Sequence, residues 1–180
     1  FKYISSPVTN ADDIGFQIAP RINAVGRMDT ARTAVELFLT EDEKLADELA
    51  LKINQFNTER KNIQNDIYEQ AKEQVETKKL NKKILVLYGE DWHHGIIGIV
   101  AGKICEEYKK PCIILTSNDD GKTVVGSARS TEHLNIYETL KKFSEDLVKF
   151  GGHSQAAGLA LKLKNLDKFT KEIENYADLY

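Results

Sequence analysis

Hydrophobic positions in the first half of the chain recur at helical spacing. After Thr40 there is no proline or glycine until Gly89. Apolar side chains in this stretch follow each other at intervals of three, four or seven residues, namely Leu45, Leu49, Ile53, Phe56, Ile63, Ile67, Ala71 and Val75. This single stripe predicts a helix of about ten turns, roughly 50–60 Å long. Thr40 and Glu43 form the T-x-x-E capping box that predicts where it begins.

The residues before this helix show a weaker pattern. Phe16 and Ile18 alternate with polar neighbours ahead of Pro20, which predicts a short strand or an extended segment. Asp29 or Thr30 is the predicted N-cap of a short helix from Ala31 to about Leu39.

From residue 84 onwards the pattern changes to alternating strands and helices. Continuous apolar runs predict strands at 84–88, 112–116, 123–127 and 158–163. Longer periodic runs predict helices at 96–108, at 134–143 and from about residue 166. The predicted fold class is therefore α/β, with a mixed central sheet flanked by helices and preceded by a long linking helix. The predicted organisation is a junction segment (1–40), the linking helix (41–80) and the α/β domain (81–180).

Composition narrows the class of protein. A chain of 180 residues with 41% apolar and 29% charged residues is typical of a soluble globular protein. The net charge of −3 means that a nucleic-acid binder of this composition would concentrate its cations in a cleft. Cys105 and Cys112 match no metal-binding spacing and are predicted to be buried free thiols in a reducing compartment. The chain begins with Phe1 rather than methionine, so we expect it to be part of a longer protein.

The stretch from Lys149 to Gly158, KFGGHSQAAG, is the first candidate for chemistry. Gly151 and Gly152 would allow positive φ and a close approach of a ligand to the backbone. The residues from Ser154 are predicted to form the first turn of a helix, whose N–H groups would attract a phosphate. His153 would add a donor; the alternative is a glycine-rich turn with His153 in the core.

The segment GSARS (126–130) is the second candidate. Ser127 and Arg129 are two residues apart and share one face if the strand persists, which suits the oxygens of a phosphate. Ser130 follows directly. The alternative is an arginine on an edge strand in a surface ion pair.

Two further segments carry charged or aromatic groups. Arg21, Asn23 and Arg27 in PRINAVGR could bracket a phosphate, or they could lie in a loop that pairs with acids. His93 and His94 do not predict a metal site, because adjacent side chains on an extended segment diverge. His93 is expected to face a ligand or to pack on Trp92, which is either a platform for a base or a core residue.

Four of these stretches, in this order, resemble the RecJ family of single-strand-specific exonucleases. They are PRINAVGR (20–27), DWHHGIIGIVAGKI (91–104), GSARS (126–130) and KFGGHSQAAG (149–158). The resemblance implies a DHHA1 domain preceded by the linking helix. It also implies an amino-terminal DHH domain, absent from this sequence, that holds two Mn²⁺ or Mg²⁺ ions. The resemblance further implies that five residues lie along the cleft that faces the metal site and bind the phosphates of the strand: Arg21, Arg27, Ser127, Arg129 and His153.

The function implied by this resemblance is the nucleic-acid-binding part of a cytoplasmic 5′-to-3′ exonuclease of DNA repair and recombination. The expected partners are single-stranded DNA with a 5′-phosphate, the protein's own DHH domain and a single-stranded-DNA-binding protein, with no membrane. The expected ligand-binding residues are Arg21, Asn23, Arg27, His93, Ser127, Arg129, Ser130, Gly151, Gly152 and His153. The alternatives are a phosphodiesterase acting on cyclic dinucleotides or very short RNA, and a binding module without catalysis.

Overall fold

The computed structural model describes residues 3–4, 6–28 and 30–179. The chain forms two compact units, Phe1–Ile63 and Gln64–Tyr180, which we call the N-terminal and C-terminal units. Within the described residues, the helices are too short or too polar to cross a membrane.

The N-terminal unit is helical. Its elements are α1 (Ala11–Asp13), a π-helical turn (Ile14–Ile18), α2 (Ala19–Met28), α3 (Arg32–Leu39) and the start of α4 (Glu43–Gln74). The strand predicted around Phe16 is therefore wrong. Asn10 and Asp13 form a capping box that starts a helix. The wider turn, in which Ala19 N–H donates to Ile14 O, leads into Pro20, which has no N–H of its own.

The caps of α3 and α4 differ from those predicted. Thr30 does not cap α3, which begins after Ala31 without a side-chain cap, and Asp29 lies outside the described residues. For α4, Asp42 Oδ1 accepts from Lys44 N–H at 2.9 Å, whereas Thr40 Oγ1 accepts from Asp42 N–H at 3.2 Å. The capping role thus belongs to Asp42, because an aspartate nearer the first turn reaches its N–H groups directly.

The long helix predicted from the apolar stripe is confirmed. The helix α4 has 32 residues and continues into a π-helical turn, Val75–Lys79. Its stripe is buried at Leu49, Ile53, Ile67, Ala71 and Val75. In the N-terminal unit Ile53 packs with Val25 and Ala34 in a small core.

The C-terminal unit contains a mixed sheet, as predicted, but with five strands rather than the four that the sequence predicted. Its elements are β1 (Leu85–Gly89), α5 (Ile97–Tyr108), β2 (Cys112–Ser117), β3 (Thr123–Arg129), α6 (Ile136–Lys142), β4 (Leu147–His153), β5 (Ala156–Lys162), a 3₁₀ turn (Leu163–Asn165) and α7 (Leu166–Asp178). The strand order is β1-β2-β3-β5-β4, with β1 and β2 parallel and the other pairs antiparallel. Because β3 is central, Arg129 does not lie on an edge strand.

The helix start predicted at Ser154 is wrong, because KFGGHSQAAG forms the hairpin of β4 and β5. The sequence hides β4 because a bulge between Leu147 and Lys149 shifts its register. As a result Leu147 and Phe150 both pack on the same core although they are three positions apart, an odd spacing that would place them on opposite faces of a regular strand. The apolar alternation that identifies a strand is lost at this point.

Two helices cover one face of the sheet. Val124, Ala128 and Leu161 on this face pack against helices α6 and α7, where Leu140 and Phe169 are buried. On the opposite face α5 packs against β2 and β3. At the edge strand β1 the side chain of Gln74 pairs with the backbone of Tyr88: its Nε2 donates to Tyr88 O at 2.8 Å, and its Oε1 accepts from Tyr88 N–H at 3.3 Å.

Candidate nucleic-acid interface

Ser127 and Arg129 lie on one face of β3, as predicted from their spacing. Arg129 Nη1 donates to Ser127 Oγ at 3.0 Å and to Ala128 O at 2.8 Å. Both side chains are half-buried, so they remain accessible from the open part of the sheet. This pair presents a guanidinium and a hydroxyl to the same space, an arrangement that suits an oxyanion.

The strand register brings His153 onto the face that carries Arg129. Arg129 is paired with Ala156, and Ala156 is paired with His153. Directly opposed residues of antiparallel strands point to the same side of a sheet, so the three form a row across β3, β5 and β4. Arg129 and His153 are thus separated by one small alanine.

A second row next to this one is made of bare backbone. Ser127 is paired with Gly158, and Gly158 with Gly151. Both glycines are exposed, because the helix on this face, α5, packs against β2 and β3 and leaves these positions of β4 and β5 uncovered. Lys149 and Lys162 belong to the same face through their pairing with Ala160 and Thr123. We call this surface the glycine floor: Gly151 and Gly158, bordered by Ser127, Arg129 and His153.

Gly98, in the first turn of α5, allows that helix to lie close to the arginine. A methyl group at Gly98 would lie 2.9 Å from Ser127 Oγ and 3.3 Å from Arg129 Nη2. Both distances are shorter than an ordinary van der Waals contact of about 3.5 Å. The absence of a side chain at Gly98 therefore permits the close packing of α5 on β3. At Gly102 nothing lies within 4 Å of the corresponding methyl position.

A cleft of about 790 Å³ opens at the sheet end occupied by Arg129 and His153. Its other lining residues are Gly102, Cys105, Glu106, Lys109, Ser130, Thr131, Glu132, His133, Gln155 and Ala156. Ser130 is held in place because its N–H donates to Gln155 O at 2.9 Å and its Oγ donates to Leu134 O at 2.6 Å. We call this cavity the Arg129 cleft.

The two glycines of the GGH motif have different roles. Gly152 has a φ of 148°, and a methyl group there would lie 2.2 Å from Ala156 O, so the hairpin itself requires a glycine. Gly151 does not have positive φ, and nothing lies within 4 Å of its methyl position. Its lack of a side chain instead leaves the glycine floor open.

The histidine pair lies apart from the Arg129 cleft. His93 and His94 line a separate cavity of about 550 Å³ together with Ser117 and Asp119. Their rings stack at 5.2 Å with an interplanar angle of 12°, so the expectation that they diverge is wrong. The segment is a turn, with Gly95 N–H donating to His93 Nδ1 at 3.1 Å, and a turn can place neighbouring side chains in parallel.

Trp92 is a core residue and offers no accessible face to a base. Only 6% of it is exposed, and its Nε1 donates to Gln70 Oε1 at 2.9 Å. Its ring covers Gly89, where a methyl group would lie 2.2 Å from the indole. Thr116 Oγ1 donates to Trp92 O at 2.7 Å, which fixes the turn that carries the two histidines.

The predicted arginines of the N-terminal unit lie in helix α2 rather than in a loop. Arg21 is engaged by three oxygens: its Nε donates to Asn54 Oδ1 at 3.1 Å, and its Nη groups donate to Gln17 O and Tyr3 O. Asn23 and Arg27 line a cavity of about 630 Å³. Burial, and then the charge of Arg27, lower the pKa of the Arg60 guanidinium. The charge of Arg27 therefore acts on Arg60, and two cations close enough to repel each other favour a bound anion.

Neither a metal cluster nor a reactive thiol is found in the described part of the chain. No group of three or more histidine, cysteine or acidic side chains among residues 3–4, 6–28 and 30–179 is arranged to hold a metal ion. Cys105 and Cys112 are buried and free, as predicted. Burial raises the pKa of the Cys105 thiol, an effect partly offset by the charges of Arg129 and Lys109.

Several residues of the interface were not predicted as ligand-binding residues. Gly158 belongs to the interface because it is the strand partner of Ser127, and Gly98 because α5 packs against Ser127 and Arg129 there. Gln155 and Lys109 line the cleft. The sequence contains Gly158 inside the motif and Gly98 among the small residues of α5. Their neighbours across the sheet could not be identified without the register.

Comparison with known proteins agrees with these features. Residues 81–178 match the DHHA1 domain family. The single-stranded-DNA-specific exonuclease RecJ of Bacillus subtilis (strain 168) is 37% identical over 169 residues, which cover 94% of this chain and 22% of the relative. RecJ of Escherichia coli (strain K12) is 33% identical over 183 residues, covering 94% and 30%.

The fold agrees as well. The crystal structure of RecJ from Thermus thermophilus in complex with Mg²⁺ matches with a TM-score of 0.85 and 29% identity, covering 95% of this chain and 26% of that one. The chain therefore spans less than a third of the length of these relatives. From its family match, its sequence and its fold, the chain belongs to the DHHA1 domain family and resembles one part of the longer RecJ exonucleases.

Proposed function

We propose that this chain is the nucleic-acid-binding part of a single-strand-specific exonuclease and that the glycine floor binds the phosphates of the strand. The similarity to RecJ proteins over almost the whole chain supports the activity of the parent protein. The carrying observation is the row of Arg129, Ala156 and His153 beside the exposed Gly151 and Gly158.

The chemistry of this row fits a phosphate. Arg129 provides charge-assisted donors, Ser127 a hydroxyl and His153 a ring nitrogen. The bare backbone of the glycine floor allows a strand to lie close to the sheet, where larger side chains would hold it away. Lys149 and Lys162, on the same face, add positive charge along its length.

A terminal phosphate carries more negative charge than a phosphodiester, so the pair of Ser127 and Arg129 favours a 5′-phosphorylated end. The proposed enzyme accordingly digests single-stranded DNA from the 5′ end. We place this activity in DNA repair and recombination in the cytoplasm, with a single-stranded-DNA-binding protein as a partner.

Asn23 and Arg27 of the N-terminal unit form a second phosphate contact of the same protein, supported by the charge of the neighbouring Arg60.

The metal ions of this reaction belong to another part of the protein. The described residues do not fit a Mn²⁺ or Mg²⁺ ion, since none of their acidic and histidine side chains form a suitable cluster. The relatives are three to four times longer, so we place the metals in an amino-terminal DHH domain. The chain alone binds the strand without hydrolysing it.

The test is binding of a 3′-labelled oligothymidylate, with or without a 5′-phosphate, to the 180-residue chain by fluorescence anisotropy. Arg129→Ala should weaken binding roughly tenfold or more, because a hydrogen bond to a charged group contributes about 1.5–3 kcal/mol. His153→Ala should weaken it less. The matched control is Lys171→Ala, which removes an exposed charge from α7, on the opposite side of the sheet.

The outcomes separate the possible substrates. Preference for the phosphorylated strand, lost in Arg129→Ala but kept in Lys171→Ala, supports the proposal. Equal binding by the parent chain and Arg129→Ala, with both folded, would refute it. Tighter binding of a linear or cyclic dinucleotide than of the longer strand would instead indicate a dinucleotide phosphodiesterase.

A further inference from the structure

Lys109 ends helix α5 in a backbone conformation that lysine rarely adopts. Its φ is 53°, and it is the one residue other than glycine with positive φ among residues 3–4, 6–28 and 30–179. A residue that follows a helix end in this way is most often glycine, because a side chain at positive φ is strained. Strained residues of this kind tend to occur where a side chain is needed for function.

Lys109 lines the Arg129 cleft and is exposed. Lys109 precedes Cys112 by three residues, and Cys112 is the strand partner of Arg129. Three residues span at most about 11 Å, so the two cations lie at the same end of the sheet. Cys105 lines the same cleft: burial raises the pKa of its thiol, and the charges of Arg129 and Lys109 both oppose that rise.

Lys109 also differs from its neighbours in having no structural partner. Its ammonium makes no hydrogen bond or ion pair with the described part of the chain. By contrast, the Nζ of Lys110 donates to Leu80 O at 2.6 Å, and that of Lys72 pairs with Glu107 at 2.9 Å. Lys109 is therefore an exposed cation without an internal role at the wall of a cleft.

We propose that Lys109 binds a second phosphate of the strand, next to the one bound by Arg129. This inference rests on the proposed function and extends it from one phosphate to a path along the Arg129 cleft. The other charged groups of the cleft are Glu106 and Glu132, and both oppose a phosphate. The positive charge of Lys109 offsets part of their negative charge, so that a polyanion can bind along this wall of the cleft.

The decisive variant is Lys109→Gly, because it removes the charge while relieving the strained backbone. Because glycine suits this conformation, the variant should keep the fold and its thermal unfolding midpoint should rise, so a loss of binding is not expected from unfolding. For a 5′-phosphorylated octathymidylate, we expect a roughly three- to tenfold weaker affinity and a salt slope smaller by about 0.7. The control is Lys171→Gln, which removes an exposed positive charge from helix α7. Glutamine is used there because glycine would weaken the helix.

Thymidine 5′-monophosphate, used as a competitor, separates the two phosphate contacts. With one phosphate it should bind Lys109→Gly as tightly as the parent chain, but bind Arg129→Ala more weakly. Glu132→Gln should act in the opposite direction and strengthen binding of the octathymidylate.

Two failures are distinguishable. If Arg129→Ala weakens binding but Lys109→Gly binds the octathymidylate with the parent affinity and salt slope, the second contact is refuted and the proposed function stands. If Arg129→Ala has no effect, the proposed function fails and this inference fails with it.

Discussion

Replacing Gly98 with alanine tests whether the close approach of α5 positions the phosphate-binding pair. The added methyl group would lie 2.9 Å from Ser127 Oγ, whereas an ordinary contact is about 3.5 Å. Ser127 Oγ must therefore move by about half an ångström. That movement disturbs the 3.0 Å hydrogen bond from Arg129, whose Nη2 is itself 3.3 Å from the methyl position.

The expected effects on folding and on binding differ in size. Alanine gains about 1 kcal/mol over glycine inside a helix, whereas overpacking costs about 1–3 kcal/mol. The free energy of unfolding should therefore fall by no more than about 2 kcal/mol. Affinity for a 5′-phosphorylated strand should fall about tenfold or more, because the guanidinium no longer has its bound geometry.

The assay is anisotropy with phosphorylated and unphosphorylated strands, combined with thermal unfolding. Gly102→Ala is the matched control, one turn further along α5, where the methyl group meets nothing within 4 Å. It should stabilise the chain by about 1 kcal/mol and keep the preference for the 5′-phosphate, because a methyl group that touches no side chain leaves Ser127 and Arg129 in place.

A double-mutant cycle identifies the cause. In a Ser127→Ala background the nearest clashing atom is gone, so Gly98→Ala should change the affinity much less than in the parent chain. If Gly98→Ala keeps the phosphate preference and is stabilised as much as Gly102→Ala, the positioning role of Gly98 is wrong.

Two further predictions concern groups outside the interface. Hydrogen bonds from Tyr68 and then Lys72 hold the pKa of Glu107 below its ordinary value of 4.5, so its contribution to stability is present above that value and is lost as the pH falls through the lowered one. Thermal unfolding from pH 6 to pH 3 should therefore depend less on pH in Glu107→Gln, and an unchanged slope would contradict this. Burial raises the pKa of Cys112 well above its ordinary value, so iodoacetamide should label Cys105, at the cleft wall, before Cys112. Peptide mass spectrometry would show the order, and earlier labelling of Cys112 would contradict the burial of its thiol.

The parts of the fold that could be predicted are those in which a local pattern repeats. The stripe from Leu45 to Val75 identified α4, and continuous apolar runs identified four of the five strands. The pairing of Ser127 with Arg129 followed from the two-residue period of a strand. Each of these depends on neighbours in sequence and on one known period.

The parts that could not be predicted depend on local irregularities or on distant neighbours. The bulge after Leu147 removed the period that would have identified β4, and the wide turn before Pro20 continued a helix where a proline suggests its end. The contact of Gly98 with Ser127 depends on where α5 lies on the sheet. The conformation of Lys109 contradicts the usual preference of lysine, so no propensity predicts it.

The two edges of the sheet have a consequence for self-association. Unpaired N–H and C=O groups of an edge strand can recruit a strand from another molecule and begin aggregation. On β1, the amide of Gln74 imitates a neighbouring strand by satisfying both backbone groups of Tyr88. On β4, the bulge after Leu147 and the charge of Lys149 interrupt the regular edge that an incoming strand requires. The sheet can thus leave its glycine floor open to a ligand while both of its edges discourage the addition of a foreign strand.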